Sequence, residues 1–269
     1  MTSPTKGRVE SPEGAVIMEG GSDVGVLVLA GSSGRVEVDR CRLLAEQGMT
    51  ALSYRWFDQA VDLVALESFD EALATLHDRC ERLAVLGTSR GGEAALLLGS
   101  LHEEVDAVVA LAPSDVVWAG LAPERPQRSA WTWRGEPLPF VPYDDAFVAE
   151  TEPPAYVEMY CRSLEEFADR VPAARIPVER IAGEVVLVAG GDDELWPSAL
   201  FAELVRRRRA AAGLPTEVVA HERAGHRVIL PGEPVLPPSP ARAYGGSDEA
   251  DAELGRLAWP MILRALRGE

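Results

Sequence analysis

The sequence predicts an α/β fold, in which helices cover both faces of a mostly parallel sheet. Short apolar runs alternate along the chain with stretches at helical spacing, which is the order of strands and crossover helices in such sheets. The chain has 269 residues, of which 47% are hydrophobic and 26% are charged. That length and composition suit one globular domain with a core of ordinary size.

The individual elements follow from apolar runs, helical spacing and turn residues. Strands are predicted at residues 15–18, 24–30, 50–54, 83–87, 106–111, 184–189 and 216–220. Helices are predicted at residues 36–48, 66–79, 91–100, 198–212 and 248–267. Inside the last helix, Pro260 is expected to kink or restart the chain, because proline lacks the backbone N–H that the helix needs.

The alternation of predicted strands and helices divides the chain into an N-terminal arm, a domain and a stretch inserted within that domain. Residues 1–13 are polar and are predicted to form a flexible arm, and residues 14–269 a single domain. Between residues 113 and 180, where half of the prolines and half of the tryptophans lie, the alternation breaks. We interpret this stretch as a cap inserted over a site. Its aromatic side chains are candidates for lining that site: Trp118, Trp131, Trp133, Phe140 and Tyr143.

Charge and composition argue against several classes of function. The net charge of −17 disfavours nucleic-acid binding, which depends on neutralising phosphates. No apolar run is long enough to cross a bilayer, and the N-terminus lacks the pattern of a signal peptide. Three scattered cysteines fit neither a disulfide framework nor a zinc site. We therefore expect a cytoplasmic protein that needs no metal or cofactor and binds no membrane, and the oligomeric state stays open.

The strongest motif is Gly87-Thr88-Ser89-Arg90-Gly91, a G-x-S-x-G pattern between a predicted strand and a predicted buried helix. In that context the serine sits on a sharp strand-to-helix turn that exposes its hydroxyl at the edge of the sheet. The flanking glycines let strand and helix approach closely. The motif predicts a nucleophile elbow and, with it, the α/β-hydrolase fold.

A serine hydroxyl is a weak nucleophile and needs a base, which in this fold follows an acid in chain order. His226 lies in a short loop after the last predicted strand and is the candidate base. The acid is expected after the preceding strand, where Asp193 is the first choice and Asp192 the reserve. Ser89, Asp193 and His226 would together transfer an acyl group through a covalent serine ester.

The oxyanion formed during such a reaction needs backbone N–H donors in place beforehand. One candidate is the amide of Arg90, directly after the nucleophile. The other is expected in the glycine-containing loop at residues 30–34, where Ser32 has the better position.

These motifs, and further blocks around them, resemble the acyl-CoA thioesterase and bile acid-CoA:amino acid N-acyltransferase family in its C-terminal catalytic domain. The blocks are residues 66–72, 87–93, 112–118, 130–135, 190–197 and 224–226. Matched residue by residue, the resemblance implies Ser89 as nucleophile, Asp193 as acid and His226 as base. Animal members carry an N-terminal β-sandwich domain, which we expect to be absent here because about 14 residues precede the first strand.

The resemblance implies a serine hydrolase that hydrolyses small-molecule acyl thioesters carried by CoA or by a carrier protein. The N-acyltransferase members use cysteine as nucleophile, so serine at position 89 favours water as acceptor. The alternatives are a dienelactone-hydrolase-like esterase, or a transferase or cyclase with another acceptor. A non-catalytic binding protein is disfavoured by the complete triad. The arginine-rich, nearly lysine-free composition resembles that of a protein from a high-GC bacterium.

Overall fold

The computed structural model of the chain describes residues 12–122 and 125–269. Its centre is a seven-stranded sheet in which one edge strand is antiparallel and the remaining pairs are parallel. The strands are β1 (Val16–Met18), β2 (Val24–Leu29), β3 (Thr50–Ser53), β5 (Arg82–Thr88), β6 (Val105–Leu111), β9 (Glu184–Gly190) and β10 (Glu217–His221). Their spatial order is β1-β3-β2-β5-β6-β9-β10. The predicted mostly parallel sheet is confirmed.

Three further short strands form a second sheet. They are β4 (Val64–Ala65), β7 (Trp131–Trp133) and β8 (Glu136–Pro137), in the order β4-β7-β8.

Helices cover both faces of the large sheet. The helices are α1 (Val38–Glu46), α2 (Asp70–His77), α3 (Arg90–Leu101), α4 (Val157–Glu166), α5 (Val171–Ala174), α6 (Ser198–Ala211) and α7 (Asp248–Arg267). Buried side chains of α2, α3 and α6 share one core with the sheet, and those of α1 and α7 share the other.

The alternation of side chains along a strand explains why both faces are apolar. In β2, Leu27 and Leu29 point into the first core, whereas Val26 and Val28 point into the second. Successive side chains of a strand face opposite sides, so a strand buried on both sides must be apolar throughout. Burying each such side chain stabilises the fold by roughly 1.5–3 kcal/mol.

Two predicted helices differ in detail from the structure. The stretch predicted as one helix at 66–79 begins as a 3-10 turn, Leu66–Phe69, and continues as α2. Of the two outcomes expected at Pro260, a restart does not occur, because α7 runs through this residue without interruption. The buried side chains of Leu254, Ala258 and Ile262 hold both halves of α7 on the sheet. That packing outweighs the backbone hydrogen bond that proline removes.

The stretch from residue 113 to 180 contains β7, β8, α4 and α5. It contributes to a third core, in which Trp118 and Tyr160 pack with Trp196 and Phe201. The predicted arm at 1–13 lies outside the described residues, apart from Pro12 and Glu13. Across the described ranges, no helix combines the length and the apolar character that crossing a membrane requires.

Candidate active site

Ser89 occupies the sharp turn between β5 and α3 with φ 57° and ψ −119°. A non-glycine residue with positive φ is strained, and such strain is concentrated at functional sites. The glycines on either side have a measurable role. A Cβ on Gly87 would lie 1.9 Å from the Gly91 carbonyl oxygen, and a Cβ on Gly91 would lie 2.4 Å from that of Ala30. Only glycine therefore fits at either position of the motif.

His226 and Asp193 meet where two loops approach each other at the carboxyl ends of β9 and β10. The Nδ1 atom of His226 lies 2.8 Å from Oδ2 of Asp193, and both side chains are buried. The second carboxylate oxygen, Oδ1, accepts backbone N–H bonds from Leu195 at 2.9 Å and Trp196 at 3.1 Å. These bonds fix the carboxylate, so the imidazole that faces it has one orientation.

The ring of His226 and the side chain of Ser89 line the same cavity. The Nε2 atom of this ring is buried and has no hydrogen-bond partner among the residues that the structure describes. The backbone N–H of His226 donates to the Tyr244 carbonyl at 2.7 Å, which anchors the loop from the side opposite Asp193. A buried nitrogen without a partner, on a ring that lines the same cavity as a serine, is available to accept a proton.

Asp192 faces away from this arrangement. Its side chain is exposed, and its Oδ2 atom accepts a hydrogen bond from the Gly246 N–H at 3.0 Å. Of the two carboxylates that the sequence left open, Asp193 is therefore the one in contact with the His226 ring.

The two residues predicted to supply oxyanion donors lie close to Ser89. Arg90 is the first residue of α3, where a backbone N–H has no carbonyl partner within its own helix. Ser32 lines the cavities at Ser89, and a Cβ on its neighbour Gly31 would lie 3.6 Å from the Ser89 Oγ. The 30–34 loop thus approaches the hydroxyl closely, as an oxyanion loop requires.

Two cavities meet at Ser89. The first, here called the polar arm, has a volume of about 600 Å³ and is lined by Ser89, His226, Thr88 and Tyr244 together with charged side chains and a proline-rich stretch at 234–238. The second, here called the aromatic arm, measures about 530 Å³. Its large apolar and aromatic side chains are Leu121, Tyr143, Tyr156, Met159, Tyr160, Leu195 and Trp196, and charged side chains, among them Asp62 and Asp145, line it as well. Ser32, Ser89, Leu195 and Arg242 line both arms.

The tryptophans predicted to line the site do not line either arm. Trp118 and Trp131 are fully buried, and their indole N–H groups donate to Ser114 Oγ at 2.9 Å and Glu93 Oε1 at 2.8 Å. Trp133 is half-buried and packs edge-on against His102. The site instead receives Tyr143, one of the other predicted aromatics, whereas Phe140 packs on the first core.

Sequence reasoning missed Tyr156, Met159, Tyr160 and Trp196 in the aromatic arm. Two signals pointed to them. Tyr156, Met159 and Tyr160 recur at helical spacing around the start of α4, and Trp196 follows Asp193 within the acid loop.

A buried ion pair lies beneath the aromatic arm. Arg90 Nη1 donates to Glu93 at 2.6 Å, and the other carboxylate oxygen accepts the N–H groups of Trp118 and Trp131. Arg90 also donates to the hydroxyl of Tyr143. Burial raises the pKa of the Tyr143 and Tyr160 hydroxyls, so both phenols stay neutral. The floor of this arm is therefore built from satisfied polar groups.

A second buried ion pair, here called the Arg40 clasp, links the turn that carries Ser89 with the loop that carries His226. Arg40 on α1 forms a bidentate pair with Glu233, with its Nε at 2.6 Å and its Nη2 at 3.0 Å from the carboxylate. Its Nη1 donates to the Thr88 hydroxyl at 2.7 Å, directly before Ser89. Glu233 in turn accepts the N–H of Leu230 at 2.8 Å, four residues after His226. One guanidinium thus links the elbow with the loop that carries the imidazole.

No group of three or more His, Cys, Asp or Glu side chains within residues 12–122 and 125–269 is placed to hold a metal ion. The chemistry available at the site is that of a serine hydroxyl, an imidazole, a carboxylate and backbone donors.

Known structures share the fold. A protein from Klebsiella pneumoniae described as a dienelactone hydrolase aligns with a TM-score of 0.54 at 15% identity, covering 93% of this chain and 88% of that one. Dipeptidyl peptidase 4 from Porphyromonas gingivalis aligns with a TM-score of 0.56 at 14% identity, covering 95% of this chain and 33% of that one. Together with the sheet order and the elbow, these likenesses establish the α/β-hydrolase fold.

Similar sequences come from acyl-CoA enzymes. Human acyl-coenzyme A thioesterase 6 is 26% identical over 259 residues, covering 88% of this chain and 58% of the human protein. Mouse bile acid-CoA:amino acid N-acyltransferase is also 26% identical over 259 residues, covering 90% of this chain and 59% of the mouse protein. The chain thus spans less than two thirds of the length of these relatives. Its residues 64–268 match the family model described as BAAT / Acyl-CoA thioester hydrolase C terminal. The chain belongs to this family of thioester hydrolases and acyltransferases.

Proposed function

We propose that the protein is a serine hydrolase that cleaves acyl thioesters, with Ser89 as nucleophile. The observation that carries the proposal is the buried contact of 2.8 Å between His226 Nδ1 and Asp193. The opposite ring nitrogen has no partner among the described residues, and the ring lines the same cavity as Ser89. Membership of the family supports a thioester as substrate.

In the proposed reaction the Nε2 atom of His226 takes the proton from the Ser89 hydroxyl as its oxygen attacks the thioester carbon. Asp193 keeps the ring proton on Nδ1 and stabilises the imidazolium. The amide of Arg90 and the Ser32 loop donate to the oxyanion. The thiolate leaves with the proton from His226, and a water molecule activated by the same ring then hydrolyses the acyl-serine.

The two arms suggest how the substrate lies. The acyl group would occupy the aromatic arm, whose tyrosine, tryptophan, leucine and methionine side chains suit a carbon chain. The thiol portion, which is polar and hydrogen-bonding along its length, would occupy the polar arm. The reacting carbon then lies where the arms meet, at Ser89.

Release of free thiol from a panel of acyl-CoA and short-chain acyl thioesters tests the proposal. The wild-type protein should release thiol, and Ser89→Ala should lose the activity, whereas Ser100→Ala, at the far end of the same helix, serves as matched control and should keep it. A fluorophosphonate probe should label Ser89 in the folded protein. Turnover by Ser89→Ala at the wild-type rate would exclude serine catalysis.

The acceptor is tested separately, because hydrolysis and acyl transfer share the acyl-serine. Serine as nucleophile favours water, since an oxygen ester passes its acyl group to amines less readily than a thioester does. Mass spectrometry of the products, with and without amine or alcohol acceptors, should find the free acid in both cases. An amide or ester as the main product would instead identify an acyltransferase, and faster cleavage of oxygen esters than of thioesters would identify an esterase.

A further inference from the structure

The arginines that line the two arms differ in whether a carboxylate of this chain pairs with the guanidinium. Almost all of them are held by a carboxylate of this chain, so their charge is compensated before any ligand arrives. These ion pairs are Arg35–Glu37, Arg40–Glu233, Arg90–Glu93, Arg125–Asp62, Arg128–Asp62 and Arg227–Asp248. The exception is Arg242, which lines both arms.

Within the described part of the chain, no carboxylate lies within ion-pair distance of Arg242. Among the described residues, its one hydrogen-bond partner is the Ser32 hydroxyl, at 3.5 Å from Nη1, which is the outer limit for a hydrogen bond. A shortage of acidic residues does not explain this, because the chain has 43 Asp and Glu against 26 Lys and Arg. A half-buried cation without a counter-charge at a cavity junction is a preformed position for an anion.

The backbone around Arg242 is anchored, so its charge has a defined place. The N–H of Ala243 donates to the Pro154 carbonyl at 2.8 Å, and the carbonyl of Tyr244 accepts the N–H of His226 at 2.7 Å. The guanidinium therefore lies between the loop of the base and the Ser32 loop, which itself approaches Ser89. An anion bound there lies close to the reacting carbon.

We propose that Arg242 binds a carboxylate on the acyl group of the substrate, so that the preferred thioesters carry dicarboxylic acyl groups of short or medium length. This inference rests on the proposed function and names its substrate class. The phosphates of CoA are a poor match, because the whole length of the pantetheine arm separates them from the thioester carbon. A carboxylate a few carbons beyond the carbonyl reaches Arg242 by folding along the aromatic arm.

The test uses four thioesters, in which each of two acyl groups is attached to each of two thiols. Glutaryl and pentanoyl groups have the same number of carbons and differ in the terminal carboxylate. Each is presented on CoA and on N-acetylcysteamine, which lacks the phosphates. The kcat/KM of the wild-type protein is compared with that of Arg242→Gln, of Arg242→Lys and of Arg256→Gln, a matched loss of one exposed arginine on α7 outside both arms.

We expect the wild-type protein to prefer glutaryl over pentanoyl on both thiols. Arg242→Gln should lower kcat/KM for the two glutaryl substrates by about 10- to 100-fold and for the two pentanoyl substrates by less than threefold. Arg242→Lys should retain part of the preference, because it keeps the charge but not the bidentate geometry. Arg256→Gln should leave all four values unchanged.

Two patterns would overturn the inference. A loss that follows CoA, whatever the acyl group, would assign Arg242 to the phosphates. An equal loss on all four substrates would assign it to the reaction itself.

Calorimetry separates this inference from the proposed function, because it needs no turnover. Glutarate should bind to the wild-type and Ser89→Ala proteins and at least tenfold more weakly to Arg242→Gln, whereas pentanoate should not distinguish them. If no thioester is hydrolysed but glutarate binding depends on Arg242, the thioesterase proposal fails and the anion site stands. If glutarate binding is the same in all three proteins, the anion site fails.

Discussion

Replacing Asp193 by asparagine tests how the base is held. Asp193 Oδ1 accepts two backbone N–H groups, from Leu195 and Trp196, so the carbonyl oxygen of the new amide must take that position. The amide NH2 then replaces Oδ2, 2.8 Å from His226 Nδ1, and donates to it. This forces the ring proton onto Nε2, which can no longer accept the proton of Ser89.

The size of the effect follows from the alternative rotamer. Turning the amide over would restore the working tautomer, but it would leave two buried N–H groups facing an NH2 group. Each buried donor without a partner costs about 1–3 kcal/mol. Two cost roughly 2–6 kcal/mol, so the fraction of molecules with the working tautomer is about 1 in 30 to 1 in 3 × 10⁴. Asp193→Asn should therefore lower kcat by about 30-fold to 3 × 10⁴-fold while the fold is preserved.

Thiol release under steady-state conditions measures kcat, and thermal unfolding checks the fold. Asp192→Asn is the matched control, because its carbonyl oxygen can still accept the Gly246 N–H, and it should stay within threefold of wild type. Asp193→Ala should keep more activity than Asp193→Asn, since its imidazole is free to adopt either tautomer. An Asp193→Asn protein within tenfold of wild type, or an equal loss in Asp192→Asn, would refute this reasoning.

Three further predictions concern stability and folding. Glu93→Leu leaves the buried Arg90 without its carboxylate and should cost about 3–5 kcal/mol in urea unfolding. The double variant with Arg90→Met should recover part of that loss, because the N–H groups of Trp118 and Trp131 still lack their acceptor, and a double variant less stable than Glu93→Leu would contradict a buried ion pair. Burial raises the pKa of Asp115 to about 6, so the folded state binds its proton more tightly than the unfolded chain and loses stability as pH rises from about 4 to 6. Asp115→Asn should remove that loss, adding roughly 2–3 kcal/mol at pH 8 and nothing at pH 3, and a pH-independent gain would rule out titration of this carboxyl as the cause. Gly91→Ala should abolish soluble folded protein because its Cβ meets a backbone carbonyl at 2.4 Å, whereas Gly21→Ala, with open space around it, should yield wild-type amounts.

The sequence predicted best what short stretches of chain determine. The elbow needs an apolar strand, a buried helix and two glycines within a few residues, and all of these are visible in the sequence. The same holds for the sheet, because each strand and each helix carries its own pattern. The open choice between Asp192 and Asp193 is different. It depends on which way the loop turns after β9, and the Leu195 and Trp196 amides that decide it carry no side-chain signal.

The aromatic lining shows where such reasoning ends. A tryptophan suits a ligand cavity and a protein core equally well. The abundance of aromatic residues at 113–180 therefore did not show which of them line the cavity and which pack in the core. For Trp131 the difference is a hydrogen bond to Glu93, 38 residues away in the chain. Arg40 is a similar case, since its partners Thr88 and Glu233 lie 48 and 193 residues away, and on its predicted helix it resembles any surface arginine.

Because of the Arg40 clasp, opening of the loop at 228–233 also removes a hydrogen bond from Thr88, the residue directly before Ser89. If the chain at 228–233 detaches, Glu233 leaves Arg40, the guanidinium loses its bidentate anchor, and Thr88 loses a defined donor. The backbone N–H of Leu230, which donates a hydrogen bond to Glu233, is exposed to solvent at the same moment. Its deuterium uptake would report how often the ligand-free site comes apart, at a position that no substrate needs to touch.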